Sequence, residues 1–505
     1  MDNSRQFGVR ESGPAYFLRT SEGSRNAVEK EHNVSSLQLE IEDRGLQYVG
    51  TTEIDGPLLV VERVRDVGFD EVVEVLDAEG KLRLGRVLDT SYQQAVVQVL
   101  EGTTGLSNQR TRVRFLGESF RLPVSRGMLG RVFDGLGRPI DDGPPPLSTD
   151  RRDINGLPIN PHAREYPREF IQTGLSAIDG MNALVRGQKL PIFSGNGLPH
   201  DRVAAQIVRQ AKLLDENVEF SIVFGAMGVK HDVSRYFIRD FEESGALART
   251  VMFLSLADAP SVERLLTPRV ALTMAEHLAF DCGRHVLLLL TDMTNYCESL
   301  REVGTARGEI PGRKGYPGYL YSDLASLYER AGRIGTSPGS ITQMAILTMP
   351  ADDISHPVPD LTGYITEGQI VLDRALFQRS VYPPIAGLPS LSRLMKDGVG
   401  KGYTRDDHPA LASQLFACYA YVKRVRALAD VVGEEELSLL DKEYMRFGDA
   451  FERKFLSQGE AEDRSIETTL EIGWDVLSML PREELHRVSD ALLETHYRNE
   501  EGSDG

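Results

Sequence analysis

Five apolar runs lie between Phe170 and Pro384: "KLPIFSG", "EFSIVFGA", "TVMFLSLA", "HVLLLLTD" and "QMAILTMP". Each is separated from the next by a stretch with helical spacing. Runs that are apolar at consecutive rather than alternate positions suit strands buried on both faces, and the intervening helices must then cover those faces. The pattern predicts an α/β domain built on a parallel sheet. After the first run, Val203, Ile207, Ala211 and Leu214 recur at helical spacing, so "DRVAAQIVRQAKLL" reads as an amphipathic helix leaving the first strand.

With 505 residues the chain exceeds one ordinary core, and its texture changes on both sides of this domain. Residues 1–45 are polar and read as an N-terminal extension. Residues 46–124 hold short β-rich runs, "GPLLVVERV", "LRLGRVLDTSYQQAVVQVLEG" and "TRVRFLGESFRLPV", broken by Gly, Asp and Asn, which predicts a small β-barrel. "FDGLGRPIDDGPPPLS" reads as a linker that opens the α/β region, residues 125–388. Beyond Pro389 the expected strands stop, and residues 389–505 show helical periodicity throughout.

A formal charge of −18 argues against nucleic acid as the main partner, because phosphate backbones are held chiefly by Lys and Arg. Cys282, Cys297 and Cys418 show no metal or redox spacing and read as thiols of a reducing compartment. The first forty residues lack the apolar core of a secretory signal, and no apolar run is long enough to span a bilayer. The expectation is a soluble, cytoplasmic chain.

The loop after the first run, in "PIFSGNGLPHDRVAAQIVRQA", has the frame of a phosphate cradle without its working parts. An intact P-loop closes on Gly-Lys-Ser/Thr: backbone N–H groups cradle the phosphates, the lysine neutralises them and the hydroxyl holds magnesium. Here the loop is Ser194, Gly195, Asn196, Gly197, Leu198, Pro199 and His200. Gly195 and Gly197 permit a tight bend, Pro199 removes an N–H donor, and His200 and Asp201 stand in the places of the lysine and hydroxyl. Tight independent ATP binding is not expected, and an ordinary strand-to-helix turn explains the residues equally well.

Other candidates fall around the same sheet. "HVLLLLTDM" delivers Asp292 to the ligand edge, as a Walker-B-like acid orienting magnesium or as a helix N-cap; without the loop hydroxyl the cap is favoured. Ala226 ends the second run where an ATPase often places a water-polarising glutamate, and Lys230 and His231 read as solvated loop residues. Arg393, in "PSLSRLMKDG", reads locally as a salt bridge at a domain junction or as an arginine finger toward a neighbouring subunit. "PGRKGYPGYLYSDLASLYERAGR" is open to RNA stacking or to an interface loop followed by a helix.

Five segments, "LGRVFDGLGRPID", "QTGLSAIDGMNALVRGQKLPIFSGNGLPH", "PGRKGYPGYLYSDLASLYERAGR", "DDISHPVPDLTGYITEGQI" and "LPSLSRLM", together resemble the non-catalytic B subunit of vacuolar/archaeal-type rotary ATPases. The similarity runs from about residue 45 to the end. It implies a β-barrel, a RecA-like α/β domain with a degenerate nucleotide loop, and a C-terminal helical domain. It implies a ring in which three such chains alternate with three catalytic A subunits, with ATP or ADP and magnesium held mainly by the A subunits. It further implies a central shaft, peripheral stalks and a membrane ion-translocating sector as direct or indirect partners, and a place peripheral to a membrane. By the family's pattern Arg393 is the arginine finger that acts in trans, and the chain alone has no activity. A self-sufficient P-loop ATPase is disfavoured by the missing lysine, hydroxyl and glutamate. A hexameric RNA translocase is disfavoured by the net charge, and a scaffold without any nucleotide role would leave Arg393 dispensable.

Overall fold

The computed structural model describes residues 47–498, apart from residues 92 and 216, so the extension expected over residues 1–45 lies outside the described residues. The chain divides into two compact units between Phe120 and Arg121.

The first unit is a seven-stranded antiparallel sheet. Its strands are β1 (Gln47–Val49), β2 (Glu53–Asp55), β3 (Leu58–Glu62), β4 (Glu71–Leu76), β5 (Leu82–Ser91), β6 (Gln94–Val99) and β7 (Arg112–Ser119), in the order β1-β7-β4-β5-β6-β3-β2. In a flat sheet the outer strands β1 and β2 would stand about 29 Å apart, at ~4.8 Å per strand. The linker of residues 50–52 reaches only roughly 10–15 Å. The sheet must therefore curl until its edges meet, which makes it a barrel. Leu59, Val61, Val73, Val75, Val87, Val97, Val99 and Val113 fill the interior, recurring with the period of two that a strand imposes.

The second unit is built on a nine-stranded sheet. Its path runs Leu391–Ser392, Gly368–Val371, Ile192–Gly195, Ser340–Met349, His285–Thr291, Phe220–Val229, Thr250–Leu256 and Val132–Asp134, with Gly332–Arg333 paired to Ser340–Met349 off that path. The five apolar runs supply the middle strands, all parallel. Helices His200–Gln210, His231–Glu243, Ser261–Glu276 and Met293–Ala306 connect them. Every loop that follows a parallel strand emerges at one carboxyl edge.

Three sequence expectations need correction. Phe133 and Asp134 lie in the stretch read as a linker, yet with Val132 they form a strand that joins the sheet parallel to Thr250–Leu256. The helix after the loop stops at Gln210 instead of reaching Leu214, because Lys212–Leu213 turns extended and pairs with Ile171 and Gln172. The first boundary falls at Phe120 rather than Val124, because Arg121–Pro123 pairs with Arg151–Asp153 and is thereby tied to the second unit.

Residues 125–388 and 389–505 pack together within one compact unit. The helices His408–Val432, Leu439–Ala450 and Ile466–Leu477 place Leu411, Leu415, Phe447 and Trp474 in the same apolar core as Leu175, Ile178, Ile207 and Phe224. His408 ties the first of these helices back to the carbonyl of Gly180. Trp474 donates its indole N–H to buried Asp407 at 2.6 Å.

Candidate functional site

The strand Ile192–Gly195 lies between two parallel neighbours, so its loop opens at the centre of the carboxyl edge. Gly197 carries φ +78°, a conformation glycine reaches without strain, and its Cα faces open space. The Leu198 amide turns back to the Gly195 carbonyl at 3.1 Å, and Pro199 has no amide to offer. The His200 amide bonds to the Leu198 carbonyl at 2.9 Å, and ring Nδ1 lies 3.1 Å from the same oxygen and 3.2 Å from Ser194 Oγ. Where an intact loop aims amides and a lysine outward, this one has no lysine and turns the Leu198 and His200 amides back on itself.

Charge opposes a phosphate as well. Burial pushes the Asp201 carboxyl above the usual range; His200 opposes the shift, and Asp292 and Asp232 add to it. Asp292 is buried. Its Oδ1 accepts the Thr294 amide at 2.8 Å and the Thr348 amide at 3.1 Å, and Oδ2 accepts the Thr348 hydroxyl. The carboxylate thus caps the helix Met293–Ala306 and pins it to the neighbouring strand. Ala226 is fully buried within its strand and carries no polarising group. His231 Nε2 lies 3.1 Å from Asp258, at the exposed start of a helix.

Two residues that sequence reasoning missed complete the loop's surroundings. Asp352 rests against Gly195, and Arg374 holds it by Nε at 2.7 Å and Nη2 at 2.9 Å, the latter also bonding the Asn196 carbonyl at 2.9 Å. The hydrogen-bonded guanidinium holds the Asp352 carboxyl below its usual range. No motif spacing links these positions to the loop, since Asp352 and Arg374 come from distant segments of the chain.

Arg393 is not brought to the loop. It follows the edge strand Leu391–Ser392, where its amide bonds the Glu367 carbonyl at 3.0 Å and Nη1 lies 3.3 Å from the Thr366 carbonyl. Glu367 is level with Lys189. At ~3.3 Å per residue, that places Arg393 about 20 Å from Gly195 along the strand direction, toward the opposite edge of the sheet. The Arg393 side chain is exposed and has no carboxylate partner among the described residues.

Elsewhere, Arg313 and Lys314 are paired with Asp360 and Asp353 at 3.2 and 3.1 Å, which engages the basic side chains of that loop; Tyr316 is buried, while Tyr319 and Tyr321 are exposed. Asp150, His277 and Asp281 converge at metal-ligand spacing. Arg152 Nη2 already bonds both acids, at 3.1 and 3.0 Å, and offsets part of their charge from within.

A parallel sheet with a glycine loop at its carboxyl edge is the frame of a nucleotide-binding-type α/β domain, and the class is that of ATP synthase alpha/beta subunits. Family models agree along the chain: the ATP synthase alpha/beta family beta-barrel domain matches residues 51–117, its nucleotide-binding domain residues 174–392, and the C-terminal domain of V and A type ATP synthase residues 397–497. The chain is 62% identical over 453 residues to V-type ATP synthase beta chain 2 of Treponema pallidum, covering 90% of this chain and 94% of the relative. It is 59% identical over 451 residues to the B subunit of the A-type ATP synthase of Aeropyrum pernix, covering 89% and 97%. Among solved structures, the ATP synthase protein NeqB from Nanoarcheaum equitans superposes with a TM-score of 0.67 at 42% identity, covering 84% of this chain and 100% of that one. The chain belongs to the beta-chain (B-subunit) family of V- and A-type ATP synthases.

Proposed function

We propose that this chain is the non-catalytic B subunit of a V/A-type rotary ATP synthase, in which it alternates with catalytic A subunits and supplies Arg393 in trans to nucleotide held by them. The observation that carries this reading is the separation of the two sites. In the chain's own loop the Leu198 and His200 amides bond back to the loop and carboxylates stand close by, while an exposed guanidinium with no carboxylate partner among the described residues stands about 20 Å away. An arginine without a carboxylate partner is suited to meet the charge that develops on a transferring phosphoryl group. Magnesium and the nucleotide belong to the catalytic neighbour, and the central shaft and peripheral stalks are the further partners. No helix among the described residues is long and apolar enough to cross a membrane. In this reading the membrane sector is reached through the other subunits and this one is peripheral.

The test is turnover per assembled ring. Arg393→Ala should lower hydrolysis on the order of a thousandfold while leaving the hexamer intact. Arg393→Lys should also perform poorly, because it keeps the charge but loses the planar fork that bonds two oxygens. Near wild-type turnover in assembled Arg393→Ala rings refutes the trans role, and failure to assemble makes the residue a structural bridge. The isolated chain should show no ATPase above background.

A further inference from the structure

The loop carries a feature that loss of catalysis alone does not require. In the short turn Pro350–Asp352, Ala351 and Asp352 both hold a left-handed backbone, each at φ +55°. Neither is glycine, so both conformations are costly and persist only because their surroundings fix them. Their effect is to set the Asp352 carboxylate on Gly195. A Cβ at position 195 would meet Asp352 Oδ1 at 2.0 Å, so glycine is what admits it. Arg374 opens the helix Arg374–Gln378 and closes the arrangement, gripping both carboxylate oxygens and the Asn196 carbonyl. A carboxylate pressed on the loop glycine, with a guanidinium that also binds the loop, repeats the charge pattern of a bound anion and its counter-cation.

We infer that Asp352 is a built-in occupant of the degenerate loop, and that Arg374 is the cation that receives a phosphate-type anion once Asp352 is gone. The inference rests on reading this loop as catalytically silent but not on the trans role of Arg393, so anion binding by this chain and turnover by the ring fail independently. The pair is open to exchange, since the side chains of Arg374 and Asp352 are 40% and 42% exposed. An intramolecular carboxylate competes at an effective concentration in the roughly millimolar range or above, which an external anion must overcome. Asp201, Asp232 and Asp292 remain nearby and keep the absolute affinity weak. The ratio between variants is therefore the quantity that decides.

The probe is inorganic pyrophosphate, titrated calorimetrically into the full-length chain. Asp352→Gly removes the carboxylate and also suits the left-handed backbone, so the fold should survive. It should bind pyrophosphate about tenfold more tightly than wild type, and Asp352→Gly/Arg374→Gln should lose that gain. A folded Asp352→Gly chain with no gain overturns the inference, and so does a gain that survives the loss of Arg374. A second measurement tests the contact itself. Because a Cβ at position 195 would also meet Arg374 Nη2 at 2.8 Å, Gly195→Ala should lower the thermal midpoint in the wild-type background and lower it much less beside Asp352→Gly/Arg374→Gln. Equal losses in both backgrounds would show that Asp352 does not sit on the loop.

Discussion

His408 gives the sharpest test of how the C-terminal helices are attached. It opens the helix His408–Val432 and is fully buried, with Nε2 3.1 Å from the Gly180 carbonyl and Nδ1 3.0 Å from the Thr404 hydroxyl. Those partners suit a neutral ring that donates from Nε2 and accepts at Nδ1, a tautomer assigned from its partners. Burial lowers the pKa to about 4 from an ordinary 6.5, against the opposing pull of the Gly180 carbonyl and Asp407. The unfolded chain takes up the proton near pH 6.5, whereas the folded chain resists it until about pH 4. Stability from this residue is therefore complete above roughly pH 6.5 and is lost as the pH falls toward 4. At ~1.4 kcal/mol per pKa unit, about 2 kcal/mol has gone by pH 5. His285, also buried and also lowered to about 4 by burial and then by Arg186 and Arg333, contributes a similar loss. The sequence has one tryptophan, Trp474, and it is buried in the same unit, so its fluorescence reports urea unfolding there. His408→Gln keeps a donor toward Gly180 and cannot protonate. The variant should be less stable near neutrality, yet lose about 2 kcal/mol less than wild type between pH 7.5 and 5. An equal loss in the two proteins would refute the claim that a neutral ring is buried at this junction.

Two further outcomes follow from the same structure. Cys282 is partly exposed while Cys297 and Cys418 are buried, and burial pushes the Cys418 thiol up to about 11 and the Cys297 thiol well above its ordinary value. Iodoacetamide should label Cys282 alone in the native chain and all three thiols in denaturant; native labelling of Cys297 at the Cys282 rate would contradict the packing. Asp292→Ala should cost about 1–2 kcal/mol by removing the helix cap and the link to Thr348, and Asp292→Asn should recover most of it, since asparagine also caps well. Equal losses in chemical denaturation would mean that the charge at this position matters rather than the cap.

What the sequence made legible was what its neighbours along the chain decide. The five apolar runs became buried parallel strands because consecutive apolar residues have little alternative when both faces are covered. Val132–Asp134 carries no such signal: three residues in a Gly- and Pro-rich stretch are recruited by Thr250–Leu256, a partner more than a hundred positions away. The end of the helix at Gln210 has the same origin, because Lys212 is claimed by Gln172. At the site, the missing lysine and hydroxyl could be read directly, being contiguous in the loop. Asp352 and Arg374 could not, because only the closed fold sets them on Gly195. The surroundings of Arg393 were equally hidden. A junction salt bridge and an exposed guanidinium share the same local sequence, and they differ only in whether a carboxylate arrives from elsewhere.

These distant pairings also bear on why a silent loop keeps its frame. A protein that binds nucleotide gains stability from its ligand in proportion to the logarithm of concentration over affinity, so an emptied site costs such a fold support it once had. This chain has rebuilt that support internally. Asp352 and Arg374 supply a carboxylate and a cation to the loop glycine, His200 bonds the turn it starts from, and Asp292 caps a helix and ties it to the next strand. The sheet's carboxyl edge is thereby tied together by the chain's own side chains, about 20 Å along the strand direction from the segment of Arg393. If Arg393 acts in trans as proposed, a loop whose shape depended on nucleotide would couple the position of that arginine to the occupancy of this chain's own loop. On the proposed trans role of Arg393, a loop held by its own side chains is what would let the other edge serve a neighbour.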